Sequence, residues 1–377
     1  MDYGQQALDK HKQLRGKIAL SLKDKLDSKD KLSTYYTPGV AAVSSHVAEH
    51  PEEARDYTWL NNSVAVISDG SAVLGLGDIG PYGALPVMEG KAMLFKHFAD
   101  IDAVPLILDV HTPDEIVTAV KAIAPSFGGI NLEDIAAPQC FEIEERLKAE
   151  LNIPVFHDDQ HGTAIVVLAG LINALKLKGN YDIGECRIVI VGSGAAGTAI
   201  ANLLAHYGAQ DIVMVDSKGI IGPKRTDLNA EKQKLLQLNT LGRDGTLEDA
   251  VKGAHIFIGV SKAGLLTAEM VKSMQDKPII FAMANPTPEI MPDEAKAAGA
   301  YIVATGRSDF PNQVNNAVAF PGIFRGALDS RVQKITDEHK VAAAEVIASL
   351  VENLSPEEII PSVLDERLVP EIAKVIT

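Results

Sequence analysis

A short apolar run, Arg187-Ile-Val-Ile-Val191, breaks into Gly192-Ser193-Gly194-Ala195-Ala196-Gly197 and resumes as an apolar stretch from Thr198 to Tyr207. That order reads as strand, tight turn and helix: Gly192 permits the turn, Gly194 lets a pyrophosphate approach the backbone, and Gly197 seats the helix on the strand. The free amides and positive dipole end of the helix start suit phosphate oxygens. The next strand, Ile212 to Val215, ends at Asp216, an acid able to accept both ribose hydroxyls and to repel a 2′-phosphate. NAD is therefore the expected cofactor, with NADP possible because Lys218 stands two residues on. Strands expected at Ile256 to Val260, Ile279 to Ala282 and Tyr301 to Ala304 alternate with helical stretches. This is the pattern of an α/β chain with a doubly wound parallel sheet.

Upstream of Lys178 the pattern changes. Charges of both signs alternate from Lys10 to Lys31, as on an exposed helix or an arm lying on a partner subunit, and Pro38 makes Ser33 to Val40 a turn. Val64 to Ile67 and Ala72 to Leu74 read as two strands joined at Asp69-Gly70, Ala84 to Phe98 as helix, and Ala103 to Leu108 as a buried strand. His161 to Lys178 reads as an apolar helix between two domains, and the tail from Asp329 as helical, with a helix start at Ser355-Pro356-Glu357-Glu358. The expected divisions are 1–160, 161–307 as the dinucleotide domain, and 308–377 as a substrate-pocket segment with helices packing back. A second glycine pattern, Gly75-Leu-Gly77-Asp-Ile-Gly80, reads as a tight turn beside another site, since Asp78 would confront the pyrophosphate and Pro81 follows at once.

Charge narrows the function classes. Fifty acids against 35 Lys and Arg leave a net −15, which argues against a broad nucleic-acid or anionic-membrane surface. Two cysteines are too few for a disulfide framework, so a reducing cytoplasm is the expected compartment. The longest uncharged run, Ile188 to Gln210, is interrupted by its glycines and does not read as a membrane span.

Glu133-Asp134 and Asp158-Asp159 are acidic pairs near expected element ends. Gathered in a pocket they would need a cation, and all-oxygen ligation selects Mg²⁺ or Mn²⁺; apart, each pair is a solvated helix start. His157 and His161 have the spacing of a helical zinc protease, but Asp158 stands where the general base belongs and Gly162 follows, so zinc hydrolysis is set aside. Asn285, before Pro286 at an expected strand end, and Asn316 read either as turn residues or as amides for a substrate carboxylate. On pattern alone Lys91 is a surface lysine on an amphipathic helix and Tyr36 a packed aromatic beside Tyr35.

Seven stretches change those last readings: Tyr36-Thr-Pro-Gly-Val40, Leu74-Gly-Leu-Gly-Asp-Ile-Gly80, Glu89-Gly-Lys91-Ala, Asn131-Leu-Glu133-Asp134, His157-Asp-Asp-Gln-His-Gly-Thr163, Ala284-Asn-Pro-Thr-Pro288 and Gln313-Val-Asn-Asn316. In this order, and over nearly the whole chain, the sequence resembles the malic enzyme family in its short bacterial form. The resemblance implies metal-dependent oxidative decarboxylation of L-malate to pyruvate and CO₂ with reduction of NAD(P)⁺, decarboxylation of oxaloacetate, and a homodimer. It also implies roles: Lys91 as general base, Tyr36 as the acid that protonates C3, Asp158 as an acid near the lysine, Glu133, Asp134 and Asp159 as ligands of Mn²⁺ or Mg²⁺, and Asn285 and Asn316 as substrate-pocket amides. Such a lysine needs a lowered pKa, which burial or nearby positive charge provides. A malolactic enzyme that retains NAD and releases lactate, or a non-catalytic NAD- or malate-sensing protein, would use much the same scaffold. One departure stands out: longer family members carry a substrate-binding arginine where Ala72 stands here, leaving Arg307 and Arg325 as candidate substitutes.

Overall fold

In this computed structural model residues 3–73 and 75–377 are described; Leu74, in the second expected strand, lies outside the described residues. Two sheets form the frame. In the first, β1 (Ser63–Ser68), β2 (Asp102–Ile107), β3 (Gly129–Leu132) and β4 (Val155–His157) lie in the order β2-β1-β3-β4, all parallel. In the second, β5 (Arg187–Val191), β6 (Asp211–Asp216), β7 (Gly219–Ile220), β8 (Ile256–Gly259), β9 (Ile279–Ala282) and β10 (Ile302–Thr305) lie in the order β10-β9-β8-β5-β6-β7. Only the short β7 runs antiparallel, against β6. Strand order reverses at β5, where an open sheet of this kind leaves a crevice for a ligand.

Period-two packing explains why these strands were readable. Ile188, Ile190, Ile212, Met214, Ile256 and Ile258 face one buried layer, and Val189, Val191, Val213, Val215 and Phe257 the other. A sheet covered on both faces needs unbroken apolar strands. β2 departs from the buried strand expected at Ala103 to Leu108: it is half-buried along its length because it forms the sheet edge.

One helix, Asp158–Leu177, carries the core. Its residues Ala164 to Leu171 are all buried, and it packs against the helices Ala195–His206 and Asp337–Ser349. Asn173 on this helix donates to the carbonyls of Ala348 (2.8 Å) and Ile359 (3.1 Å), so the C-terminal segment is tied onto it. Among the described residues it is the helix long and apolar enough to cross a membrane, and most of it is buried inside the protein.

Three local expectations fail. Ala72 and Val73, the described part of the second expected strand, are not in a strand: Val73 makes one isolated bridge to Gly77, and φ is positive at Gly70 and Gly77. The expected turn at Ser33 starts late, because Ser28 caps a helix that runs over Lys29–Tyr35. No helix starts at Ser355; Ser355 and Glu358 exchange backbone hydrogen bonds of 3.3 and 3.0 Å, and the Asn312 side chain holds the Pro356 carbonyl. The tail helices are Phe320–Asp329, Asp337–Ser349 and Leu368–Ala373.

The N-terminal segment is the opposite of the core. The helices Tyr3–Leu14 and Lys29–Tyr35 bury no residue, and Tyr3, Leu8, Leu20, Leu22 and Tyr36 stand exposed.

Candidate active site

Three neighbouring strands of the first sheet each run out at the C-terminal end into acids: Asp69 after β1, Glu133-Asp134 after β3, Asp158-Asp159 after β4. Parallel pairing brings those ends to one edge, where ligands of such sheets collect. The edge is tied together by backbone donors. The Glu133 N–H donates to Ile67 (2.8 Å), the Asp134 N–H to the Asp159 carboxylate (2.7 Å), and the Ala72 N–H to the Asp134 carbonyl (3.0 Å). Asp69 accepts from the amide and hydroxyl of Ser71.

Lys91 enters from the helix Gly80–Ala99, whose first turn is set when Asp78 accepts from the Gly80 amide. Its Nζ lies 2.9 Å from Glu133, also bonds Asp158, and sits 3.9 Å over the Phe320 ring. The side chain is 6% exposed and Asp158 is fully buried, so the reading of Lys91 as a surface lysine is overturned. Burial alone pulls the lysine pKa down, but Asp158 and Glu133 outweigh it and hold the ammonium above its ordinary value. The lowered pKa expected of a base is therefore not present in this arrangement. Burial likewise raises the carboxyls of Glu133 and Asp158, which share the one ammonium.

The same edge fits an oxygen-ligated divalent cation in the chemistry of its donors. Asp158 Oδ1, Asp69 Oδ2, Asn131 Oδ1 and both ring nitrogens of His157 are buried there without a hydrogen-bond partner. Buried polar atoms are nearly always satisfied, so a group of orphans at one strand edge points to a bound ion or polar ligand. The acids are nonetheless splayed: among the described residues, the set of three ligand atoms within 4.8 Å of one another is the exposed His50 and Glu52 with the half-buried Glu53, not Glu133, Asp134 and Asp159.

His157 ends β4 while His161 lies on the following helix, so the pair does not share a helix face. His161 is held instead by Glu144, 2.9 Å away, and burial lowers its pKa to about 4. Glu144 also accepts from the His157 amide (3.0 Å) and pairs with Lys148, and the His161 and Lys148 side chains together hold its carboxyl well below the usual range despite burial.

The glycine loop follows β5 as expected. Gly192 has φ +115°, and a Cβ there would lie 2.7 Å from the Val260 carbonyl; a Cβ on Gly197 would lie 1.9 Å from the Gly192 carbonyl. Gly194 differs, since a Cβ on it would meet nothing within 4 Å. That open face, with Ser193, Ala195 and Ala196 around it, is the cradle a pyrophosphate would fill. Asp216 stands beside the loop, as the Gly192 amide donates to Val215 (2.9 Å), but its carboxylate is occupied by Arg225, Lys232 and the Lys218 amide. Asp216 is thus not a free ribose acceptor in this structure.

Asn316 adjoins the acids: its Cβ is 3.0 Å from where a Gly162 Cβ would sit, and that same point is 1.9 Å from Asp158 Oδ1. Asn285, exposed beyond β9, abuts the turn at Gly75, so this loop of the first sheet meets a strand end of the second. Of the two candidate arginines, Arg307 bonds the Pro286 carbonyl (2.9 Å) beside Asn285. Arg325 reaches Asn62 and Ala99, ahead of β1 and β2 and so at the opposite end of the sheet, which removes it. Tyr36 is 67% exposed, and no side-chain contact joins it to Lys91 among the described residues.

Sequence reasoning missed Asp69, Asn131, Glu144 and Phe320. Asp69 follows an apolar strand just as Glu133 does and was open to the same argument. Asn131, inside β3, orients Glu133 through a 2.9 Å bond, and Phe320 underlies Lys91. For these two, and for Glu144, no local pattern separates the role from ordinary packing.

Comparisons with known proteins identify the family. Residues 15–148 match the model for the malic enzyme N-terminal domain and 160–376 that for the malic enzyme NAD-binding domain. A bifunctional malic/malolactic enzyme of Bacillus subtilis is 55% identical over all of this chain and 92% of its own length. An NAD-dependent malic enzyme of Geobacillus stearothermophilus is 53% identical over 96% of this chain and 76% of that one. Among solved structures, the NAD-dependent malic enzyme of Thermotoga maritima superposes with a TM-score of 0.95 at 51% identity, covering 98% of each chain.

Proposed function

The chain belongs to the malic enzyme family, and from that premise we propose that it oxidises L-malate to pyruvate and CO₂ at the strand-end cluster around Lys91. The observation that carries the proposal is a buried lysine held between two buried carboxylates, Glu133 and Asp158, at the edge where orphaned polar atoms gather. When bound, the nicotinamide supplies the hydride acceptor, and a divalent cation supplies Lewis acidity at the C2 oxygen.

The chain's own residues do the rest. Asp158, fully buried against Lys91 with its carboxyl raised by burial, takes the ammonium proton and fixes where Nζ points, and the neutral Lys91 amine then takes the proton of the C2 hydroxyl. Glu133, Asp134 and Asp159 would hold the cation, with Asn131 steering Glu133. Asn316, against Asp158, and Asn285, where the two sheets meet, hold the substrate carboxylate, with Arg307 close by on the Pro286 carbonyl. Glycines 192, 194 and 197 with Ser193, Ala195 and Ala196 bind the dinucleotide. The division at 1–160, 161–307 and 308–377 is supported at its first boundary by the change from one sheet to the other across the helix Asp158–Leu177.

Malate, Mn²⁺ and NAD⁺ should give free NADH, and EDTA should abolish it. Lactate formed without net NADH would favour the malolactic reading, which the name of the Bacillus relative keeps in view. No turnover with either NAD⁺ or NADP⁺ would defeat both.

The partner is a second copy. An N-terminal segment with no buried residue but exposed Tyr3, Leu8, Leu20 and Leu22 supports a covered face in solution. Tyr36 lies at the end of that segment, and on this reading it protonates C3 in the neighbouring subunit. Sedimentation should give a dimer, and mixing inactive Tyr36→Phe and Lys91→Ala chains should restore part of the activity; a monomer, or no restoration, would refute this. Two buried free cysteines, Cys140 and Cys186, accord with a reducing cytoplasm.

A further inference from the structure

The acid at the end of β6 does not have the surroundings of a ribose ligand. Asp216 Oδ1 accepts from Arg225 (3.0 Å) and from the Lys218 amide (2.9 Å), and Oδ2 accepts from the second Arg225 nitrogen (3.1 Å) and from Lys232 (2.6 Å). A carboxylate offers about four lone-pair sites, and here four donors fill them. Its side chain is only 5% exposed beneath these cations. Asp227 closes the group, pairing with both Lys218 and Arg225 at 2.6 Å. Three cations against two carboxylates leave one net positive charge beside the glycine loop.

We propose that Lys218, Arg225 and Lys232 form a receptor for the 2′-phosphate of NADP⁺, with Asp216 acting to position those cations rather than to hold ribose hydroxyls. The proposal deepens the dinucleotide reading of this loop and rests on it. An acid in this place ordinarily rejects a 2′-phosphate by repulsion, but a bidentate guanidinium and an ammonium cancel its charge. Lys218 is two-thirds exposed and Lys232 about a quarter, so both present donors toward solvent where a ligand can reach them. A phosphate monoester carries nearly two negative charges and three acceptor oxygens, which suit a net-positive cluster with unused N–H donors better than two neutral hydroxyls do. Burial opposes ionisation of Asp216, yet Arg225 and Lys232 hold its pKa at about 2, so the arrangement persists throughout the neutral range.

The test is calorimetric titration of the whole protein with adenosine 2′,5′-bisphosphate and with 5′-AMP, which needs neither substrate nor turnover. Native protein should bind the 2′-phosphorylated nucleotide more tightly, and Lys232→Met should reduce that preference at least threefold. Lys232 makes its one side-chain bond to Asp216, so the variant is expected to fold, and Lys218→Met offers a second, more exposed position. Lys224→Met, at an exposed lysine that pairs only with Asp244 at 3.8 Å, should leave the preference unchanged. In steady state Lys232→Met should lower kcat/KM for NADP⁺ at least tenfold and that for NAD⁺ less than twofold. A native preference for 5′-AMP, or one for the bisphosphate that both variants leave untouched, overturns the proposal. If neither nucleotide binds, the reading of the loop falls with it; if the preference holds but malate is not turned over, only the malate activity is lost.

Discussion

Replacing Lys91 with alanine is expected to slow malate oxidation by about a thousandfold, within the range that a positioned general base contributes. The same change should destabilise the fold. Lys91 is the ammonium shared by Glu133 and Asp158, and both carboxyls are buried. Removing one partner of a buried ion pair leaves uncompensated charge and costs about 3–5 kcal/mol. The two effects separate with metal: Mn²⁺ gathered by the remaining acids should raise the denaturation midpoint of the variant, since a ligand of the native state alone stabilises it, while the rate stays low. Turnover within tenfold of native would remove Lys91 from the chemistry.

Gly197→Ala is expected to weaken cofactor binding at least tenfold. Its Cβ would lie 1.9 Å from the Gly192 carbonyl oxygen and 2.9 Å from the carbonyl carbon, and neither is part of a flexible side chain that could swing aside. Either the helix Ala195–His206 tilts away or the loop changes shape; overpacking of this sort costs about 1–3 kcal/mol. Gly194→Ala is the informative companion. Its Cβ meets nothing within 4 Å, so the protein should fold with native stability, yet the methyl would stand where the pyrophosphate must approach. Thermal melts and cofactor titration of the two variants distinguish a loop that is merely packed from one that binds. Native affinity in both would exclude the loop as the phosphate site.

The second sheet was legible because each of its central strands is buried on both faces and announces itself as an unbroken apolar run. β2 could be located but not its exposure, since being an edge strand depends on neighbours that are distant in sequence. The start expected at Ser355 failed for a similar reason: a local helix signal lost to Asn312, which holds both the Pro356 carbonyl and the Ile359 amide. In the site, the acids were legible as residue types, but the burial of Lys91 was not, because Phe320 and Asp158 approach it from other parts of the chain. Asp216 shows the limit most plainly. Its position in the motif was right, and its availability depended on Arg225 and Lys232, which a strand-and-glycine pattern does not include.

The helix Asp158–Leu177 also constrains how the chain can be made. The two helices that cover it most, Ala195–His206 and Asp337–Ser349, and the Ile359 carbonyl leave the ribosome later than it does. For much of synthesis this long apolar helix is thus exposed without its lid, a condition that invites aggregation or chaperone capture. A chain stopped before Asp337 should accordingly be recovered as insoluble material rather than as a soluble, inactive protein.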